Sequence, residues 1–196
     1  MPGKRHLQPI FSDSYYHIYN RAVRDNTLFY TESDMIIFLR KFRKFVMPYL
    51  NVLGFCLLPN HFHLIVKTVD SNDSQHFPSL ISEQFRKLFI SHAVDINREE
   101  IREGTLFERP YRRIRIESEN YLKYLLFYVH YNPEKHNIAY KFQDYRYSSY
   151  SLCFRKDQSI IDREFVSGLF NNDYGEYLEF HKHHHDEKII KDLILE

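Results

Sequence analysis

The stretch Val52-Leu53-Gly54-Phe55-Cys56-Leu57-Leu58-Pro59-Asn60-His61-Phe62-His63-Leu64-Ile65-Val66-Lys67-Thr68 decides the fold. Two short apolar runs, 52–58 and 61–68, flank Pro59-Asn60. Turn residues between two β-prone runs predict a hairpin. Upstream, Tyr15 to Arg21 alternates and is rich in aromatic and β-branched types, which predicts a strand. Thr31 with Asp34 three residues on predicts a capped helix start. Met35, Phe38, Leu39, Phe42 and Val46 follow at helical spacing, and Pro48 stops the run. Downstream, a polar loop over Asp70 to His76 leads to a helix starting near Pro78-Ser79. Its apolar face carries Ile81, Phe85, Leu88, Phe89, His92 and Ile96. Gly104 marks a break, and Leu106 to Ile116 reads as extended. Ser118 is expected to cap a third helix that buries Tyr121, Leu125, Tyr128 and Val129 and ends at Pro133.

The resulting order is β-α-β-β-α-β-α. Its first six elements make the ferredoxin-like pattern, an α+β fold with an antiparallel sheet and packed helices. The seventh is an added helix. Beyond about residue 140 the chain reads as a mostly helical tail, which divides it into a main domain over residues 1–150 and a tail over 151–196.

Composition narrows the class. Of 196 residues, 43% are hydrophobic, enough for a core, and the net charge of +1 does not by itself point to nucleic acid. The charge is uneven: residues 136–196 hold 8 Lys and Arg against 11 Asp and Glu, whereas residues 1–135 hold 19 against 15. A local basic stripe matters more for DNA than the total. Aromatics reach 17%, which suits either an aromatic core or rings that stack on bases. Cys56 and Cys153 sit in no metal-type spacing, and the start of the chain lacks an apolar signal core. No apolar run is long enough to cross a membrane, so a cytoplasmic setting is expected.

Two constellations carry chemistry. In a strand, residues i and i+2 face the same way, about 6.5–7 Å apart, so the imidazoles of His61 and His63 can converge on one cation while Phe62 anchors the other face. Their place right after a turn puts them at the sheet edge, within reach of a substrate. The alternative is two structural histidines, which would need buried partners on an otherwise apolar strand. On the third helix, Tyr128 and Asn132 are four apart and share a face. Pro133 places Asn132 in the last turn, its side-chain carbonyl available as a hard ligand one turn after a phenol. Tyr128 can equally be core, and Tyr121 and Tyr124 are rival nucleophiles on nearly the same face.

Taken together, Pro59-Asn60-His61-Phe62-His63 and Tyr128-x-x-x-Asn132-Pro133 resemble the single-tyrosine HUH transposases, and within them the REP-associated tyrosine transposases. Gly104-Thr105-Leu106-Phe107 is similar to the family's Gly-x-Leu-Phe stretch, and Tyr147-Ser148-Ser149-Tyr150 to its aromatic-Ser-Ser-Tyr element. The resemblance covers roughly residues 14–150. It implies a ferredoxin-like fold whose added helix carries the nucleophile, Tyr128. It also implies Mg²⁺ or Mn²⁺ held by His61, His63 and Asn132. The implied substrate is single-stranded or hairpin DNA such as REP-like palindromes, cut and rejoined through a 5′-phosphotyrosine. The chain departs from the family at Ala22, where Gly is usual, and at Glu134-Lys135-His136-Asn137, where Val-Arg-Ala-Gly is frequent.

Arginines offer a backbone-tracking groove: Arg109, Arg112, Arg113 and Arg115 interleave with Tyr111, with Arg113 and Arg115 on one strand face and Arg112 on the other. Arg21, Arg86 and Lys87 are further candidates for DNA contact. The same residues can form an ordinary solvated face. The cluster His181, His183, His184 and His185 reads as a solvated helix face. A non-catalytic ferredoxin-like nucleic-acid-binding module and a water-using metallonuclease are the rival functions, and the chain is expected to act as a monomer or homodimer.

Overall fold

The computed structural model describes residues 8–24, 26–155 and 160–190. Four strands, β1 (Tyr15–Arg21), β2 (Leu50–Leu58), β3 (His61–Thr68) and β4 (Arg112–Ile116), form one antiparallel sheet in the order β2-β3-β1-β4. With α1 (Glu32–Phe45) following β1 and α2 (Phe77–Glu99) following β3, this is the ferredoxin-like arrangement read from the sequence. The Thr31 capping box is in place: its hydroxyl accepts from the Asp34 N–H and the Asp34 carboxylate accepts from the Thr31 N–H.

Strand alternation divides the sheet into two faces. Tyr16, Ile18, Asn20, Phe62, Leu64 and Val66 share the face covered by α1 and α2, where the Phe38 and Phe62 rings lie 5.4 Å apart. His17, Tyr19, His61, His63 and Cys56 share the other. There α3 (Asn120–Lys135) packs, mainly on β2. Gly54 permits this approach, since a Cβ at that position would stand 2.5 Å from Leu126 Cδ1. Both faces of the sheet are therefore covered by helices.

Several expectations are corrected. The His61-His63 pair is not at the sheet edge: β3 is an interior strand, and the pair sits at its beginning. Ser118 does not cap α3. Glu119 precedes the helix without a side-chain cap, and the Ser118 backbone carbonyl, rather than its hydroxyl, takes the Tyr121 N–H. Tyr121 is exposed, since it falls on the outer side of the helix. Nor does the helix end at Pro133. It continues to Lys135 and closes through Asn137, whose φ of 54° is the left-handed conformation a short polar residue tolerates. Asn137 N–H donates to Glu134 O and Ile138 N–H to Pro133 O, the paired bonds of a Schellman cap. Those bonds outweigh the preference of the residue before proline for extended backbone. The stretch 106–116 ladders as a strand only from Arg112. Before it, Phe107 makes a single bridge to Ala22, and Pro110, with no N–H, cannot join a ladder.

Past residue 140 come 3₁₀ turns at Phe142–Asp144, Tyr150–Leu152 and Glu187–Ile190 and two short helices, α4 (Arg163–Gly168) and α5 (Tyr174–Lys182). The described part of 151–196 packs Cys153, Ile161, Val166, Phe170 and Tyr177 into the same core as the sheet. Residues Tyr145 to Ser149 lie along the outer edge of β2: Leu57 N–H donates to Tyr147 O, and Ser149 N–H to Phe55 O. The aromatic-Ser-Ser-Tyr element is thus a cover for a sheet edge. Among the described residues no helix is long and apolar enough to cross a membrane.

Candidate active site

The opening residues of β3 and the C-terminal half of α3 meet on the second sheet face. The Tyr128 ring stands edge-on to His63 at 5.7 Å, and His61 lies edge-on to His63 at 5.2 Å. One turn beyond Tyr128, Asn132 is fully buried. Its amide nitrogen donates to the Tyr128 carbonyl at 2.7 Å, and its Oδ1 is buried with no hydrogen-bond partner. A buried acceptor without a donor costs free energy unless something positive comes to it.

The imidazoles are oriented from behind. His61 Nδ1 lies 2.7 Å from Asn60 Oδ1, an acceptor only, so Nδ1 carries the proton and Nε2 keeps its lone pair. His63 Nδ1 lies 3.0 Å from His17 Nε2 inside the protein. With His63 donating in that bond, its Nε2 lone pair also remains for a ligand. Burial, and then the neighbouring imidazoles and Lys135, push His63 well below the usual histidine range, which keeps it neutral. Asn60 and His17 are functional candidates that sequence reasoning missed. The spacing of His17 and Tyr19 on β1 places them on one face, but only the register, which pairs Tyr19 with His63, brings His17 against it.

This donor set fits a divalent cation. Two imidazoles, each with its Nδ1 engaged, and one orphaned amide oxygen are a mixed nitrogen and oxygen set of the type Mg²⁺ or Mn²⁺ accepts alongside water and phosphate. Among the described residues no group of three or more His, Cys, Asp and Glu side chains is placed to hold a metal, so the third protein ligand would have to be the Asn132 amide.

The mouth of the site is basic. His136, exposed at the end of α3, meets His61 edge-on at 4.8 Å, and Lys135 Nζ lies 5.0 Å from the centroid of the Tyr128 ring. Across the sheet end, Glu108 takes Arg21 at 2.6 Å and Arg112 at 2.7 Å. Burial raises the Glu108 carboxyl, but those two guanidinium bonds outweigh it and hold it below the usual carboxylate range.

The other arginines are dispersed. Arg112 is only 14% exposed and lies over Tyr19, so it is mostly committed to the protein. Arg113 donates from Nε to Gln8 O at 2.6 Å and covers Tyr111, while Arg115 is exposed beside Phe11. Arg109 and Lys87 are exposed, and Arg86 is bound to Glu83 one turn earlier on α2. Arg86 and Arg109 line a cleft of about 800 Å³ between α2 and residues 104–111, with Phe89, Val94 and Tyr111. This large cleft lies on the sheet face opposite Tyr128, so it does not share the histidine site.

The histidine-rich tail is corrected by the structure. His181 is buried rather than solvated. Its Nδ1 lies 2.9 Å from Tyr177 O, its Nε2 3.1 Å from His130 Nδ1, and His130 Nε2 2.7 Å from Ser149 Oγ. A carbonyl only accepts, so the directions are fixed: Ser149 donates to His130, His130 to His181, and His181 to Tyr177 O. His183 and His184 are exposed, and His185 stacks on Phe180 at 4.1 Å.

No protein-family model matches the chain. A Haemophilus influenzae protein assigned by name to the REP-associated tyrosine transposases is 27% identical over 101 residues, which cover 50% of this chain and 57% of that protein's length. The solved structure of a REP-associated tyrosine transposase bound to a REP hairpin superposes with a TM-score of 0.59 at 15% identity, over 78% of this chain and 87% of that one. The chain is similar in sequence to the first and in fold to the second.

Proposed function

We propose that this chain is a divalent-metal-dependent tyrosine strand transferase that cuts and rejoins single-stranded, hairpin-forming DNA, REP-like palindromes among them. The observation that carries the reading is Tyr128 held edge-on against His63, with the orphaned Asn132 oxygen one turn away. On this reading a phenol, two imidazoles and a hard oxygen serve one place. A cation held by His61, His63 and Asn132 would supply Lewis-acid polarisation of the scissile phosphate and neutralise its charge.

The chain's own residues do the rest. Tyr128 Oη attacks phosphorus, the Tyr–O–P bond forms and the bond to the 3′ oxygen breaks. The phenol gives up its proton and the departing oxygen takes one up as a 3′-OH. The covalent intermediate conserves the phosphodiester, so rejoining by a 3′-OH needs no nucleotide cofactor. Asn60 and His17 hold the two imidazole rings in their ligand orientation.

One observation weighs against the binding-module rival. A module that stacks bases on an open sheet needs an uncovered face, and here α1 and α2 cover one and α3 the other. The test is a denaturing gel of the protein incubated with a hairpin oligonucleotide and Mn²⁺ or Mg²⁺. A protein–DNA adduct that maps to Tyr128 is expected. Cleavage without any adduct would hand the site to a metallonuclease.

A further inference from the structure

We infer that Lys135 and His136, at the closed end of α3, form a phosphodiester-binding subsite that delivers the DNA backbone to Tyr128. The inference rests on the function proposed above and adds two residues to it.

The Schellman cap fixes where these side chains start. Asn132 O takes the His136 N–H, Glu134 O takes Asn137 N–H, and Pro133 O takes both Ile138 N–H and Ala139 N–H. The last-turn carbonyls are thereby engaged locally. Even so, the end of a helix carries partial negative charge and by itself repels an anion. A phosphate can settle beside Tyr128 only if cations outweigh that field. The structure puts two nitrogen groups there: an ammonium 5.0 Å from the centroid of the phenol ring and an exposed imidazole 4.8 Å from His61. They bracket the approach, one over the nucleophile and one over the outer imidazole.

The burial of Tyr128 strengthens the argument. A phosphate that reaches a hydroxyl on a side chain 2% exposed must come in along the groups that border it. Lys135 is one of them and is half-buried. An ammonium on a four-carbon stem can leave a ring face for a phosphate oxygen without moving the backbone. Attraction between a cation and a ring is weaker than a charge-assisted bond to phosphate.

The test uses full-length protein carrying Tyr128→Phe, which keeps the ring under Lys135 but cannot form an adduct, so equilibrium binding of a single-stranded oligonucleotide can be followed by fluorescence anisotropy across a salt series. Adding Lys135→Met is expected to weaken binding on the order of tenfold and to lower the salt slope by about 0.7. Lys135→Arg should restore both, and His136→Gln should weaken binding without changing Mn²⁺ affinity measured by electron paramagnetic resonance. A Lys135→Met protein that melts lower but binds with the same affinity and slope would reduce the pair to a helix cap and overturn the inference. If protein with Tyr128 intact forms no adduct and binds no single strand, the proposed function fails, and this subsite with it.

Discussion

Among the described residues two pairs of histidines are buried, and they are opposites. His130 and His181 are bonded into a line that begins at the Phe55 N–H, passes through Ser149 Oγ and both imidazoles, and ends on Tyr177 O. Every ring nitrogen in it is used, so the line can hold α5 and α3 to β2 but has no lone pair left for a ligand. His63 and His17 are bonded to each other just as closely, yet the pair opens toward His61, Tyr128 and an orphaned amide oxygen. Histidine count therefore says little about function. What separates a fastening from a site is whether the last nitrogen in the line has a partner within the protein.

The comparison breaks most decisively at the proposed nucleophile. Tyr128→Phe should remove cleavage and adduct altogether while hairpin binding persists, and Tyr124→Phe, whose ring lies against Phe180 and His185, should retain activity. Peptide mapping of the adduct decides it, and an adduct on Tyr124 would dissolve the link between Tyr128 and His63.

The two pairs should then fail in different currencies. His61→Ala is expected to abolish the adduct with a stability change below about 1 kcal/mol, because the ring is half-buried at the mouth of the site. His130→Ala should lose on the order of 3 kcal/mol by leaving Ser149 and His181 without partners in a new cavity, yet still form adduct below its melting temperature. His63→Ala should do both. Urea melts paired with the adduct gel measure this, and an inactive but stable His130→Ala would erase the distinction.

Acid should find the closed pair next. His181 is pushed down to about 4, chiefly by burial, and burial holds His130 well below the usual range. The unfolded chain takes up protons near pH 6.5, before the folded one does, so stability is full above that value and falls as pH drops toward 4. Each such histidine contributes up to about 1.4 kcal/mol per pH unit in that window. His181→Gln should give a shallower loss in denaturation measured between pH 7 and 4, with His92, also pushed down to about 4, supplying a common background. An unchanged slope would show that the line does not stay neutral.

The smallest expected effect concerns the arginines. Arg113 is committed to Gln8 O, whereas Arg109 is exposed. Arg109→Ala should lower the salt slope of single-strand binding by about 0.7, and Arg113→Ala by less. Equal slopes would mean that the Gln8 contact yields to DNA.

Much of this was legible in the sequence, and the failures have common causes. The hairpin, the Thr31 box and the order of strands and helices follow from periodicity and turn chemistry, which are local. The same-face spacing of His61 and His63, and of Tyr128 and Asn132, is local too. The partners of those residues are not. His17 lies 46 residues from His63, and only strand register joins them. His136 was hidden because Pro133 is a sound stop signal, and the helix outran it by virtue of a cap centred on Asn137. The tail histidines looked solvated because their spacing carries no record of the cavity that receives His181.

His63 serves two masters. It faces the proposed reacting centre and also closes a buried bond with His17, whereas His61 sits half-buried at the mouth of the site and bonds through its ring to the adjacent Asn60. In a lineage that ceased to move DNA, selection on folding alone would go on retaining His63, while His61 would be released to drift. A surviving second histidine is then a record of architecture, and the first is the better witness to an enzyme still at work.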